Sequence, residues 1–175
     1  MLMLDLCSGL GGASSTFRQA GWDVITVDCD PSFEPDIVAD VRTWSWYGRR
    51  PDLIWASPPC DEFSREFMPW CKTGQAPSLE IVSGCKRIID EVKPDWWSIE
   101  NVIGSVNYIR PLLGNYRMHY GAFYLWGNFP DLGRPAVVMR KKESFSSKEH
   151  KKRAMIPIGL SLAMLNAIQK QPKLL

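Results

Sequence analysis

Histidine is scarce in this chain, with only His119 and His150, and the five cysteines are odd in number, widely spaced and without a C-x-x-C pair. A metal site of the zinc type needs several such ligands at short spacings, so no metal is expected. A disulfide framework is not expected either. Nothing points to secretion, which leaves a reducing, cytoplasmic compartment as the expectation. Long apolar runs are also missing. Stretches such as Leu160 to Leu165 fall far below the roughly 20 residues a membrane span requires. Met1 leads directly into a strand-like segment, so neither a membrane anchor nor a signal peptide is expected. Charge of one sign is not in large excess, with 21 Lys and Arg against 19 Asp and Glu. This mildly basic balance permits a nucleic-acid partner without requiring one.

What is present suits one compact catalytic domain over residues 1–175. Leu2 to Leu6 reads as a short buried strand, Gly11 to Ala20 as a helix, and Asp23 to Asp28 as a second strand. Asp36 to Asp40 and Asp52 to Ala56 are further strand candidates. Leu79, Ile81, Val82, Cys85, Ile88, Ile89 and Val92 recur at helical spacing, and Trp96 to Glu100 supplies another strand. Short apolar strands alternating with helices predict a doubly wound α/β domain with a mostly parallel sheet, because parallel neighbours need crossover connections. Beyond Glu100 the pattern loosens. Tyr120 to Pro130 is aromatic with a Gly-Asn turn, and reads either as a surface for stacking bases or as a hairpin that completes the core. Arg140 to Arg153 is basic and Ser-rich, as in an exposed loop, and Ile156-Pro157 opens a last helix through about Lys170.

Three constellations carry chemistry. Asp5-Leu-Cys-Ser-Gly-Leu-Gly-Gly12 follows a strand and opens a helix, where glycines let the backbone approach a ligand and the helix start offers unpaired donors. A merely tight turn would look the same, and the spacing is not that of the dinucleotide fingerprint. Asp28 ends the second strand, where an acid can accept from ribose hydroxyls or simply cap a solvated turn. Ser57-Pro-Pro-Cys-Asp-Glu-Phe-Ser64 follows the Asp52 to Ala56 strand. Two prolines stiffen the loop and present Cys60 at a strand's carboxyl end, as a nucleophile or as a buried small hydrophobe. A thiol with an ordinary pKa needs about 2 kcal/mol to ionise fully at pH 7, within reach of a positive environment. Glu100-Asn101-Val102 ends the strand bearing Trp96 and Trp97. Desolvation there favours the neutral carboxyl, a proton donor to a base ring if not only a structural acid.

In this order, D-L-C-S-G-L-G-G, P-P-C-x-x-F-S and E-N-V resemble the cytosine carbon-5 DNA methyltransferase family, over roughly residues 2 to 102 and more loosely over the last helix. The resemblance implies the Rossmann-like fold of S-adenosylmethionine-dependent methyltransferases and the activity of a DNA (cytosine-5-)-methyltransferase. Cys60 would attack carbon 6 of cytosine while Glu100 bonds the ring nitrogen. Carbon 5 would then take the methyl group from S-adenosylmethionine, and loss of its proton would free the cysteine. Pro59, Asn101 and Ser64 join Cys60 and Glu100 as implied catalytic-site residues, with Asn101 bracing the Pro58-Pro59 turn and Ser64 in the mobile end of the loop. The implied cofactor contacts are Asp5, Leu6, Ser8, Gly9, Gly11, Gly12, Cys29 and Pro58, with Asp28 on the ribose and Asp40 and Val41 near the adenine.

The family's paired-arginine motif, Q-x-R-x-R, is absent, and Val106 to Lys152 is too short for its usual recognition region. Arg153-Ala154 stands where the family has a G-N pair before the closing helix. DNA is the expected partner, single-stranded or with a second subunit supplying the missing surface. The same chemistry on single-stranded nucleic acid or a free cytidine nucleotide is one alternative. A catalytically weak accessory or decoy protein that binds S-adenosylmethionine or DNA is another.

Overall fold

A computed structural model describes residues 1–70, 72–133 and 155–171. Cys71, the whole of the basic stretch Arg140 to Arg153 expected as a loop, and the Arg153-Ala154 pair lie outside the described residues. The chain opens with β1 (Leu2–Leu6), α1 (Ser14–Gln19), β2 (Asp23–Asp28) and the two-residue β3 (Ile37–Val38). It continues through β4 (Leu53–Ala56), α2 (Asp61–Phe67), α3 (Glu80–Val92), β5 (Trp96–Asn101) and α4 (Val106–Leu113). A hairpin of β6 (Met118–Tyr120) and β7 (Phe123–Asn128) precedes the closing helix α5 (Ile158–Gln169).

One seven-stranded sheet runs in the order β3-β2-β1-β4-β5-β7-β6. The first five strands are parallel, while β7 runs antiparallel to both neighbours. β1 and β4 are buried at every residue, as central parallel strands covered on both faces must be. Alternation along them divides two cores. Met3, Leu53 and Trp55 pack with Phe17 of α1 and Leu160, Met164 and Ile168 of α5. Leu4, Leu6, Ile54 and Ala56 face Cys85, Ile88 and Ile89 of α3. Each buried aliphatic side chain contributes about 1.5 to 3 kcal/mol, so the two helical layers hold the sheet through these alternating rows.

From β1 the chain winds outward one way to β2 and β3, then returns to β4 and winds the other way to β5. The reversal opens a crevice at the carboxyl ends of β1 and β4, where doubly wound sheets bind ligands. Because β7 is antiparallel to β5, its first residues lie beside the carboxyl end of β5, with Tyr124 opposite Asn101. The aromatic segment is therefore part of the sheet: Leu125 and Trp126 are fully buried, and Tyr124 and Trp126 join Phe63 and Ile109 in a third cluster. Among the described residues, no helix is long and apolar enough to cross a membrane.

Candidate active site

The crevice holds a cavity of about 510 Å³. The turn after β1 forms its floor. Cys7 takes a left-handed backbone at φ 54°, uncommon for a residue with a side chain, and its sulfur rests 4.0 Å from that of Cys85 on α3. Gly11, at φ 71°, sustains the turn. Gly12 serves a different purpose. A Cβ there would come within 2.8 Å of the Ile156 backbone, so this glycine lets the turn lie against the chain entering α5. Ser161 of α5 fastens the same contact by donating to the Ala13 carbonyl at 2.6 Å.

Asp28 joins the walls. Its carboxylate accepts from the Gly9 amide at 2.9 Å and the Asp30 amide at 3.0 Å, tying the glycine turn to the end of β2. Asp40 lines the cavity further along, but its carboxylate is held by the Arg42 guanidinium and amide. Asp5 is the exception. It lines the cavity at 1% exposure, and neither carboxylate oxygen has a hydrogen-bond partner. Burial lifts its pKa to about 7, against Ser14 and Arg18, which favour the charged form.

The other end of the site comes from the neighbouring strands β4 and β5. Cys60 precedes the first turn of α2 and is partly buried, between Pro59 and Asp61, which both line the cavity. Asn101 donates from Nδ2 to the Pro58 carbonyl at 3.0 Å, binding the proline turn to the end of β5. Burial alone raises Glu100 to about 8, so its carboxyl keeps a proton at neutral pH. The Cys60 thiol is raised by burial, then by the negative charges of Glu100 and Asp61, while Ser64 pulls the other way. The positive environment considered for this thiol is not what surrounds it. With Glu100 protonated, the stronger of these two repulsions is removed.

No protein-family profile matches the chain. Over 122 residues, 58% of this chain and 38% of the other, it is 26% identical to the type II methyltransferase M.HindV of Haemophilus influenzae. Over 67 residues, 37% of this chain and 31% of the other, it is 37% identical to a candidate DNA (cytosine-5)-methyltransferase of Frog virus 3. The chain thus spans about a third of the length of these curated relatives. Two solved structures superimpose on it with a TM-score of 0.53. One is a candidate DNA modification methyltransferase from an Escherichia coli prophage, 18% identical, covering 73% of this chain and 46% of that one. The other is the Entamoeba histolytica methyltransferase EhMeth, 16% identical, covering 82% and 57%. The fold is that of these methyltransferases.

Within that fold, Asp5, Ser8, Gly9, Gly12, Asp28, Cys29, Asp40, Val41 and Pro59 line the cavity. Leu6 is instead fully buried against α3, and Gly11 and Pro58 support the loops from behind the lining. Cys60, Glu100 and Asn101 are not in the lining: Cys60 stands between its residues Pro59 and Asp61, Asn101 reaches the Pro58 carbonyl, and Glu100 is near enough to act on the Cys60 thiol. Ser64 sits one helical turn beyond Cys60, its amide bonded to the Cys60 carbonyl at 2.8 Å. Sequence reasoning missed Cys7, Phe33, Arg42, Ile81 and Ile156, all in the lining. Three of them left a signal: Cys7 stands inside the glycine-rich motif, Ile156 opens the last helix, and Ile81 lies on the apolar face of α3.

Proposed function

We propose that this chain is an S-adenosylmethionine-dependent methyltransferase acting on carbon 5 of cytosine in DNA, with Cys60 as nucleophile and Glu100 as the proton donor to the base. What carries the reading is the pair at the ends of two adjacent strands: a partly buried cysteine in a proline turn, braced by Asn101, near a carboxyl that burial keeps neutral. The sequence likeness to a candidate DNA (cytosine-5)-methyltransferase supports the same chemistry.

The cavity suits the cofactor. An unpartnered, buried carboxylate is costly in an empty protein and well placed for a cationic ligand, and Asp5 offers one to the ammonium of the methionine part. Asp28 keeps lone pairs for ribose hydroxyls beyond the two amides it already accepts, and the 39–42 segment with Ile81 walls the nucleoside end. Bound there, S-adenosylmethionine supplies an electrophilic methyl group on a sulfonium.

The chain's own residues prepare cytosine to receive it. Cys60 first gives up its thiol proton to solvent; the thiolate sulfur adds to carbon 6 while Glu100 places its own proton on the ring nitrogen, so the electron pair of the 5,6 double bond becomes available at carbon 5. Once carbon 5 is methylated, loss of its proton to solvent re-forms the double bond and expels the Cys60 thiolate, which takes up a proton again, and Glu100 recovers its proton from the ring. Neutral Glu100 matters twice, because a carboxylate could not donate and would also oppose the thiolate.

Incubation with labelled S-adenosylmethionine and, separately, duplex DNA, single-stranded DNA, RNA and cytidine nucleotides tests the assignment. Label is expected at carbon 5 of cytosine in DNA, and its absence from every cytosine substrate would refute the reading. A second arrangement, preference for single-stranded targets, is favoured by one observation. Residues 106–128 are used by α4 and the β6–β7 hairpin to complete the sheet and core, so that part of the interval is not free to offset the few kcal/mol of extruding a paired base.

A further inference from the structure

Helix α3 touches the cavity through only one lining residue of its own, Ile81, yet it fixes much of the wall opposite. Gly84, one turn further along the same face, packs against the 41–42 backbone so closely that a Cβ would stand 2.6 Å from the Val41 carbonyl oxygen. Arg87, three residues on, donates from Nη2 to the carbonyls of Val41 at 3.1 Å and Trp44 at 2.6 Å, and from Nη1 to Ser45 Oγ at 2.9 Å. Glu91 holds the same guanidinium from below at 2.8 Å. Positions three and four apart share a helix face, so Ile81, Gly84, Arg87 and Glu91 form one strip along the back of the segment that presents Ala39, Asp40, Val41 and Arg42 to the cavity.

We propose that Gly84 and Arg87 are positioning residues that hold the 39–42 wall in register and thereby set which purine the cofactor's nucleoside carries. The inference rests on reading the cavity as an S-adenosylmethionine site. Adenine and hypoxanthine are nearly the same size and differ mainly at the 6-position, where one donates from an amino group and the other accepts through an oxo group. A wall that reads such a difference rejects the wrong ring only while its polar groups stay fixed, since a mobile wall can re-pair with either. Arg87 supplies that fixity from outside the cavity, where it touches no part of the ligand.

Calorimetric titration with S-adenosylhomocysteine and its inosine analogue, on the wild type, Arg87→Met, Arg87→Lys and Gly84→Ala, tests this. Arg87→Met is expected to weaken S-adenosylhomocysteine binding by about tenfold, as loss of charge-assisted hydrogen bonds does, and to shrink the adenosine-over-inosine preference by a similar factor. Arg87→Lys should fall between, and Gly84→Ala should reduce the preference with Arg87 intact. Ile168→Val, on α5, lowers the melting temperature without altering the preference and so separates positioning from plain destabilisation. An unchanged preference in both Arg87→Met and Gly84→Ala would overturn the proposal while leaving the cofactor site standing. A wild type that binds neither compound would overturn the cofactor reading and this inference with it.

Discussion

The two ends of the site are prepared by opposite physical means. At the cofactor end most polar groups are already paired: Asp28 holds two amides, Asp40 holds Arg42, and Arg87 holds two carbonyls. At the base end, Cys60 and Glu100 are held by burial, which keeps both protonated. Hydrogen bonds fix positions and leave a ligand little to reorganise. Desolvation instead fixes protonation, which a proton-transferring group needs more than a rigid place. Asp5 breaks the division, since it sits at the cofactor end yet, like Glu100, is buried with its pKa raised by desolvation. Its counter-charge is expected from the ligand.

Removing the nucleophile is the largest way to break this contrast. Cys60→Ala should cost at least about 10³-fold in methyl transfer, with S-adenosylhomocysteine affinity unchanged within a factor of two or so, because the thiol acts on the base alone. Undiminished turnover in that variant would remove Cys60 from the mechanism. Glu100→Ala should lower kcat by about 10²-fold or more, the usual worth of a positioned proton donor. In the wild type, kcat/KM should climb with pH as the Cys60 thiolate becomes available and stop climbing at about 8, where Glu100 begins to lose its proton.

A smaller loss is expected at the other end. Asp28→Ala frees the Gly9 and Asp30 amides and should weaken cofactor binding roughly 10- to 100-fold, leaving the rate at saturating cofactor nearly intact. A fall in kcat as large as the fall in affinity would show that the two ends are not separable. A separate effect falls on stability. Asp5 is raised from 3.8 to about 7 and Glu100 from 4.5 to about 8. Between those limits these two groups bind more protons in the folded chain than in the unfolded one, so their contribution to stability is full at low pH and is lost as pH rises, by up to about 1.4 kcal/mol per pH unit for each group. Chemical denaturation of the ligand-free protein from pH 5 to 8 reads that slope. Asp5→Asn and Glu100→Gln should each flatten it.

Much of this site was legible because its residues sit where strands end. Asp5 to Gly12, Ser57 to Ser64 and Glu100-Asn101 each follow a short apolar strand, and the doubly wound order brings those ends together. Other features left weaker traces. The helix α2 behind Cys60 is only seven residues long, too short to show a period. Pro111 inside α4 argues locally against the helix that packing enforces. The strand expected over Asp36 to Asp40 shrinks to Ile37–Val38 because Asp36 turns its carboxylate to Thr26 and Arg18. Gly12 was legible as a glycine needed for close approach, but what approaches is Ile156, more than a hundred residues away. The roles of Arg87 and Arg42 likewise depend on segments meeting in space, which no local pattern encodes.

The central claim is that Cys60 forms a bond to carbon 6 of cytosine. Single- and double-stranded DNA containing 5-fluorocytosine, incubated with the protein and S-adenosylmethionine, tests it most directly, because fluorine at carbon 5 blocks the proton loss that releases the enzyme. A stable protein–DNA adduct is predicted, mapping to the Cys60 peptide by mass spectrometry and absent in Cys60→Ala. Active methyl transfer to cytosine DNA without such an adduct, or an adduct at another cysteine, would contradict the account.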